Sequence, residues 1–231
     1  MDDDTRISRR ASLAKLGGLV AGAAAVGGWK LAEDSSAGPA GVASGAVTCV
    51  LAPEQTAGPF FFEGDRVRRN ITEGKPGVPL TLRLTVVDVS TCKAIKGALV
   101  DIWHCDAAGV YSGASAQGTE DRTFLRGIQR TDAKGVAMFR TIYPGWYPGR
   151  TVHIHVQASL GGNVVHTGQL YFPDTLTDAV YRRAPYSRRP NRDPRNPGDS
   201  IYRNGGKRST LKLAKSGSAY VGSMTMGVQR S

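Results

Sequence analysis

Between Pro79 and Val89 the chain reads PLTLRLTVVDV. On an extended backbone Leu80, Leu82, Leu84 and Val86 fall on one side, and Thr81, Arg83 and Thr85 on the other. A period of two is that of a strand buried on one face. The same reading marks strands at Ala98 to His104, Gly135 to Ile142, Arg150 to Ala158 and Val164 to Phe172. Turn sequences separate them: Asp106-Ala107-Ala108-Gly109, Asp132-Ala133-Lys134-Gly135 and Gly161-Gly162-Asn163. Leu211, Leu213 and the run from Ala219 to Val228 add one or two more strands, and helical periodicity is weak and confined to Asp174 to Arg183. Short strands at regular spacing with turn punctuation predict an all-β chain, a β-sandwich of mainly antiparallel strands with long loops and little helix.

Composition agrees. A chain of 231 residues favours one sizeable core, and 40% hydrophobic against 21% charged residues, with 29 Gly and 12 Pro, excludes a disordered chain and argues against a helical bundle. No uncharged apolar run reaches the ~18 residues needed to cross a bilayer as a helix, so no membrane association is expected once the N-terminus is removed. The formal charge is +11. Residues 1–40 hold five charges of each sign, so the excess belongs to the body, much of it in Arg182, Arg183, Arg188, Arg189, Arg192 and Arg195. Those arginines alternate with Pro, Asn and Asp rather than with stacking aromatics, and no recognition motif accompanies them. The segment Arg182 to Lys215 is therefore expected to be a solvated loop, and nucleic acid is not expected as a partner.

The N-terminus has the pattern of an export signal. Arg9 and Arg10 follow Ser8, and Lys15 precedes fourteen uncharged residues, Leu16 to Trp29. A basic region followed by a short apolar stretch is a secretory signal, and the paired arginines resemble the twin-arginine type, with Ser12 where that motif usually has Phe. Asp34 to Ala46 is small and polar, so residues 1–46 are expected to form signal and linker and residues 47–231 the folded domain. Three cysteines follow, Cys49, Cys92 and Cys105. In an oxidising compartment one pair is expected to be bridged, and Cys49 with Cys92 is the expected pair, although spacing leaves the connectivity open.

The chemistry concentrates between residues 103 and 170. Arg150-Thr151-Val152-His153-Ile154-His155 puts two imidazoles on one face of a strand, about 7 Å apart along it, near enough to converge on one ion. Upstream lies Tyr143-Pro144-Gly145-Trp146-Tyr147-Pro148-Gly149, an aromatic, Pro- and Gly-dense loop of the kind that positions something. A phenol titrates near ~10, so a tyrosine becomes an anionic ligand at neutral pH only beside a strongly charged ion. Two imidazoles and two phenolates, offered in this chain by Tyr111 and Tyr147, make a hard, anion-rich set suited to Fe(III), whereas a thiolate-rich set suits zinc or clusters.

The runs Asp101-Ile-Trp103-His-Cys-Asp-Ala-Ala-Gly-Val-Tyr111-Ser, Arg140-Thr-Ile-Tyr-Pro-Gly-Trp-Tyr147-Pro and Arg150-Thr-Val-His153-Ile-His155 resemble the intradiol ring-cleavage dioxygenases, the catechol and protocatechuate dioxygenase family. Thr56-Ala-Gly-Pro59-Phe60 resembles that family's Glu-Gly-Pro-Tyr element, with Ala57 in place of the acid. The resemblance spans roughly Leu51 to Asp174. It implies one Fe(III) per chain held by Tyr111, Tyr147, His153 and His155, with Tyr147 the ligand that leaves when substrate binds. It implies a catechol-type aromatic substrate and O2 as partners, and a diacid of the muconic type as product. Arg150 and Gln169 match the family's active-site arginine and glutamine, and Trp103 is a candidate for the substrate pocket. His104 and His166 match no ligand position and read as core histidines. The competing expectations are a non-catalytic, prealbumin-like β-sandwich that binds small molecules or carbohydrate, and a copper or zinc protein using the two histidines alone. No oligomeric state follows from the sequence. Replacing Arg9 and Arg10 with lysine is expected to hold the precursor in the cytoplasm, and undiminished secretion of that double variant would assign the chain to the ordinary secretory route.

Overall fold

The computed structural model describes residues 50–62, 66–189 and 191–230. The expected signal and linker, the domain boundary at residues 46 and 47, and Cys49 lie outside them. Among the described residues, eight strands form two four-stranded sheets. In one the order is β4 (Val136–Ile142), β1 (Pro79–Asp88), β8 (Ala219–Val228), β7 (Lys212–Ser216); in the other it is β3 (Arg126–Arg130), β2 (Leu99–Trp103), β5 (His153–Leu160), β6 (Asn163–Tyr171). All neighbouring strands run antiparallel except β1 and β8, which run parallel. The expected sandwich and its helix, α1 (Asp174–Tyr181), are present. The sequence had shown no strand at Arg126–Arg130, where RGIQR carries three polar side chains in five residues and so lacks an apolar alternation.

Leu80, Leu82, Leu84 and Val86 of β1 pack with Ala137 and Phe139 of β4 against Val100 and Ile102 of β2 and Ile154 and Val156 of β5, all of them buried. That is the sandwich core. Because side chains alternate along a strand, the odd-numbered residues of β2 and β5 point to the opposite face of the second sheet. There Trp103, His153 and His155 are also buried, beneath the loops that carry Phe60, Tyr111 and Tyr147. The second sheet is thus covered on both sides, and its loop-covered face holds the polar aromatics.

Two expectations need correction. The strand placed at Arg150 to Ala158 begins only at His153, and Arg150 sits in the turn before it, where its N–H donates to the Tyr147 carbonyl at 3.2 Å. The basic segment after Arg182 is solvated only in part: Arg182, Arg183, Arg188 and Arg195 are exposed, but the segment also forms short helices and packs back on the domain. The Arg192 guanidinium is almost fully buried, with Nη2 2.8 Å from Asp174 Oδ1 and 2.9 Å from Asp178 Oδ1, and Arg195 lies 2.6 Å from Asp178 Oδ2. Acidic side chains of helix α1 thus neutralise arginines that follow it in the chain. Cys92 is disulfide-bonded, and Cys105 is a free thiol whose pKa burial pushes up to about 12.

Arg192→Met leaves Asp174 and Asp178 without their shared cation, and should lower the free energy of unfolding by about 1–3 kcal/mol, the usual cost of removing one partner of a partly buried charged hydrogen bond. Denaturant unfolding checks this through a lower midpoint at unchanged slope; a midpoint equal to that of the parent chain would contradict it.

Candidate active site

The sheet register assembles the site. Trp103 of β2 pairs with His155 of β5, and His155 with Gln169 of β6; one pleat along, His153 pairs with Tyr171. Directly opposed residues on one face lie within about 5.5 Å, so the ladder rungs fix these side chains relative to one another without help from any loop. The His153 and His155 Nε2 atoms are 3.1 Å apart. His153 Nδ1 donates to the Thr151 carbonyl at 2.6 Å, which leaves the lone pair on Nε2. The Trp103 indole lies flat on the His155 imidazole, with centroids 5.1 Å apart and planes 2° from parallel. Trp103 is only 1% exposed, so its ring backs a histidine and offers substrate little surface.

Loops bring the phenols over these histidines. The Tyr147 hydroxyl is 3.2 Å from His153 Nε2. Tyr111 packs edge-on to Tyr147 at 5.6 Å between centroids and stacks face to face on Phe60 at 4.2 Å. Its backbone is tied down on both sides: Tyr111 N–H donates to Gln117 Oε1 at 2.7 Å, and its carbonyl accepts from the Thr119 hydroxyl at 2.5 Å. The Tyr111 hydroxyl itself is buried and finds no hydrogen-bond partner of ordinary geometry among the described residues.

Burial sets the charge state of all four. It holds His153 down to about 3 and His155 well below the ordinary imidazole value, so both rings are neutral acceptors at pH 7. It raises Tyr147 and Tyr111, so neither phenol ionises unless a cation drives the proton off. Among the described residues no three His, Cys, Asp or Glu side chains cluster so as to hold a metal ion. An ion at this point therefore has to draw on the phenols as well as the imidazoles. Four convergent donors, two neutral and two able to become anionic, fit a hard trivalent cation.

Arg150 borders the donors, its Nη1 3.5 Å from the Tyr147 hydroxyl. Its guanidinium is held at two further points. Nε donates to Asp199 Oδ2 at 2.9 Å, and Nη2 donates to Gln169 Oε1. Gln169 is engaged at both ends of its amide, since Oε1 also accepts from the Tyr171 hydroxyl at 3.1 Å and one N–H of Nε2 donates to the Thr56 carbonyl at 3.0 Å. The amide thus orients Arg150 and anchors the segment before Phe60. His104, bonded to Thr141 Oγ1 at 2.7 Å, and His166, bonded to Glu54 at 2.8 Å, stand apart from the donors.

Asp199 is the residue that sequence reasoning missed. Its side chain is fully buried and accepts from Arg150 Nε, from Thr151 N–H at 2.8 Å, and from the N–H groups of Ile201 and Tyr202 at 2.7 and 3.0 Å. The available signal was the capping pattern of an acid before Ser200-Ile201-Tyr202, since Asp199 is the N-cap of the short helix α2 (Ser200–Arg203). Capping says nothing of a partner forty-nine residues upstream.

Residues 57–181, just over half of the chain, match a family model described as Dioxygenase. The chain is 36% identical to an intradiol ring-cleavage dioxygenase from Tetranychus urticae over 78% of this chain and 95% of that one, with a TM-score of 0.75. It is 32% identical to the dioxygenase domain of a dioxygenase and carbohydrate-binding protein fusion from Streptomyces sp. SirexAA-E, over 77% and 97% of the two chains, with a TM-score of 0.59. Among curated relatives, catechol 1,2-dioxygenase 1 of Acinetobacter lwoffii is 30% identical over 100 residues, 41% of this chain and 32% of that protein. Chlorocatechol 1,2-dioxygenase of Pseudomonas putida is 29% identical over 136 residues, 50% and 51% of the two. The chain thus matches about a third to a half of the length of these curated relatives. The region matched by the family model carries Tyr111, Tyr147, His153 and His155, and the chain belongs to the intradiol ring-cleavage dioxygenase family.

Proposed function

We propose that this chain is an Fe(III)-dependent dioxygenase that opens the ring of a catechol-type aromatic between its two hydroxylated carbons, using O2 and giving a muconic-type diacid. The observation that carries the reading is the grouping of two neutral imidazoles and two phenols, with His153 Nε2 3.1 Å from His155 Nε2 and 3.2 Å from the Tyr147 hydroxyl, and the Tyr111 ring edge-on to that of Tyr147. Fe(III) held by Tyr111, Tyr147, His153 and His155 would draw electron density from both catechol oxygens and give the closed-shell ring the radical character that triplet O2 requires.

The remaining work falls to the protein. Tyr147, ionised by the bound cation, would supply a phenolate oxygen able to accept one catechol proton. Arg150 keeps its charge beside that oxygen, because Asp199 pairs with Nε and leaves Nη1 facing the site. A fixed guanidinium there stabilises negative charge as it develops on a ring carbon and on the adjoining oxygen. Gln169 holds the guanidinium in that orientation, and Phe60 stacks over Tyr111 and shields one face of its ring. Export belongs to the same reading. It is supported by Arg9 and Arg10 and by the disulfide at Cys92, since disulfides persist in oxidising compartments.

Tyr147→Phe removes a base and leaves three donors. Iron should stay bound while ring cleavage slows by about 10²-fold, the usual contribution of a positioned acid–base group. His153→Ala should instead lose the iron, as metal analysis of the purified variant would show. Turnover of Tyr147→Phe at the parent rate would contradict the role given to Tyr147. Product analysis is a separate check: cleavage between the hydroxylated carbons gives a diacid, and a semialdehyde as main product from catechol would overturn the intradiol assignment.

A further inference from the structure

The segment that follows helix α1 lies beyond the region matched by the family model, yet it returns to the loop bearing Tyr147. Arg189 is its point of contact. Arg189 Nη1 donates to the Trp146 carbonyl at 2.9 Å and to the Ala108 carbonyl, so one cation ties the loop before Tyr147 to the turn before Tyr111. The guanidinium lies over the Trp146 indole, 4.5 Å from its centroid, and Trp146 Nε1 donates back to the Arg189 carbonyl at 3.1 Å. The loop and the turn are also in direct backbone contact. A Cβ on Gly145 would lie 2.2 Å from the Asp106 carbonyl oxygen, and one on Gly109, whose φ is +83°, would lie 2.2 Å from the Trp146 carbonyl oxygen. On the far side of Tyr147 the chain is held again, by Asp199 through Arg150 and Thr151.

We infer that Arg189 is a positioning residue for Tyr147: by clamping the Trp146 carbonyl and indole onto the Ala108 turn, it fixes the backbone from which the Tyr147 phenol reaches the two histidines. This rests on the proposed role of Tyr147. The clamp uses Arg189 in three ways at once, as a donor to two carbonyls, as a flat partner for the indole, and as the acceptor of a return bond from it. Its side-chain hydrogen bonds go to the loop and the turn and not to the donor atoms. With both flanks of the loop pinned, Tyr147 is left to move by rotation of its own side chain.

The test compares Arg189→Met with Arg188→Met, the adjacent arginine, which loses the same charge. In the metal-free protein, amide exchange across residues 144–150 should be about 10-fold faster in Arg189→Met and unchanged in Arg188→Met, as expected when a local anchor is removed without global unfolding. After iron loading, the visible charge-transfer band to which the Tyr147 phenolate contributes should shift or broaden. kcat should fall about 10-fold with KM changed far less, the scale expected for misplacing a reacting group by a fraction of an ångström. Arg189→Lys keeps a cationic donor for the two carbonyls and should recover part of the loss in exchange protection and in kcat; it also serves if the methionine variant folds poorly. Parent-like exchange and an unshifted band in Arg189→Met would overturn the assignment, as would equal effects in Arg188→Met. A parent chain that neither binds iron nor cleaves catechols would defeat the functional reading instead, and the exchange measurement on the metal-free protein would still decide the clamp.

Discussion

Two neutral imidazoles whose Nε2 atoms lie 3.1 Å apart, on a strand buried on both faces, are the constraint around which the site is arranged. Neither ring is easily protonated there, because burial opposes the charge. The phenols that face them are groups that only a strong cation would ionise. The position of the rings follows from the pleat of β5 and from the rungs that join it to Trp103 and Gln169. A slip of one residue in that pairing would send both histidines into the sandwich core and bring Ile154 out. The hydrophobic alternation that builds the core therefore also fixes which side chains meet on the other face.

The second layer of control comes from a distance in the chain. Arg150 is aimed by Asp199 and Gln169, and Asp199 belongs to the segment stapled to helix α1 through Arg192 and Arg195. A positive surplus that looked like surface charge is in part internal wiring. Arginine suits this use because its planar fork can satisfy carboxylates and carbonyls in fixed directions and stack on a ring at the same time. Strain on that segment would reach the site through Arg150 without touching any of the four donor side chains.

What could be read from the sequence divides along physical lines. The strand at Pro79–Asp88 and the His153–His155 pair were legible because period-two alternation is a local property, and because two histidines at that spacing share a face wherever the strand lies. Tyr111 and Tyr147 emerged from their motifs. β3 was missed because Arg126, Gln129 and Arg130 break the apolar pattern, and its pairing with β2 is a tertiary fact. Asp199 was missed because its partner is forty-nine residues away in sequence, and no pattern around it differs from an ordinary helix cap. Gln169 was found, but its bonds to Arg150, Tyr171 and Thr56 became visible only in three dimensions.

The most direct measurement of the central claim is the visible absorption spectrum of the iron-loaded protein, recorded beside its metal content and beside the Tyr111→Phe variant. Phenolate donation to Fe(III) predicts about one iron per chain, a broad visible band that disappears on chelation, and a changed band when Tyr111 is replaced. A colourless protein that holds a full complement of ferric iron would mean that the phenols are not ligands, and would contradict a centre built from two imidazoles and two phenolates.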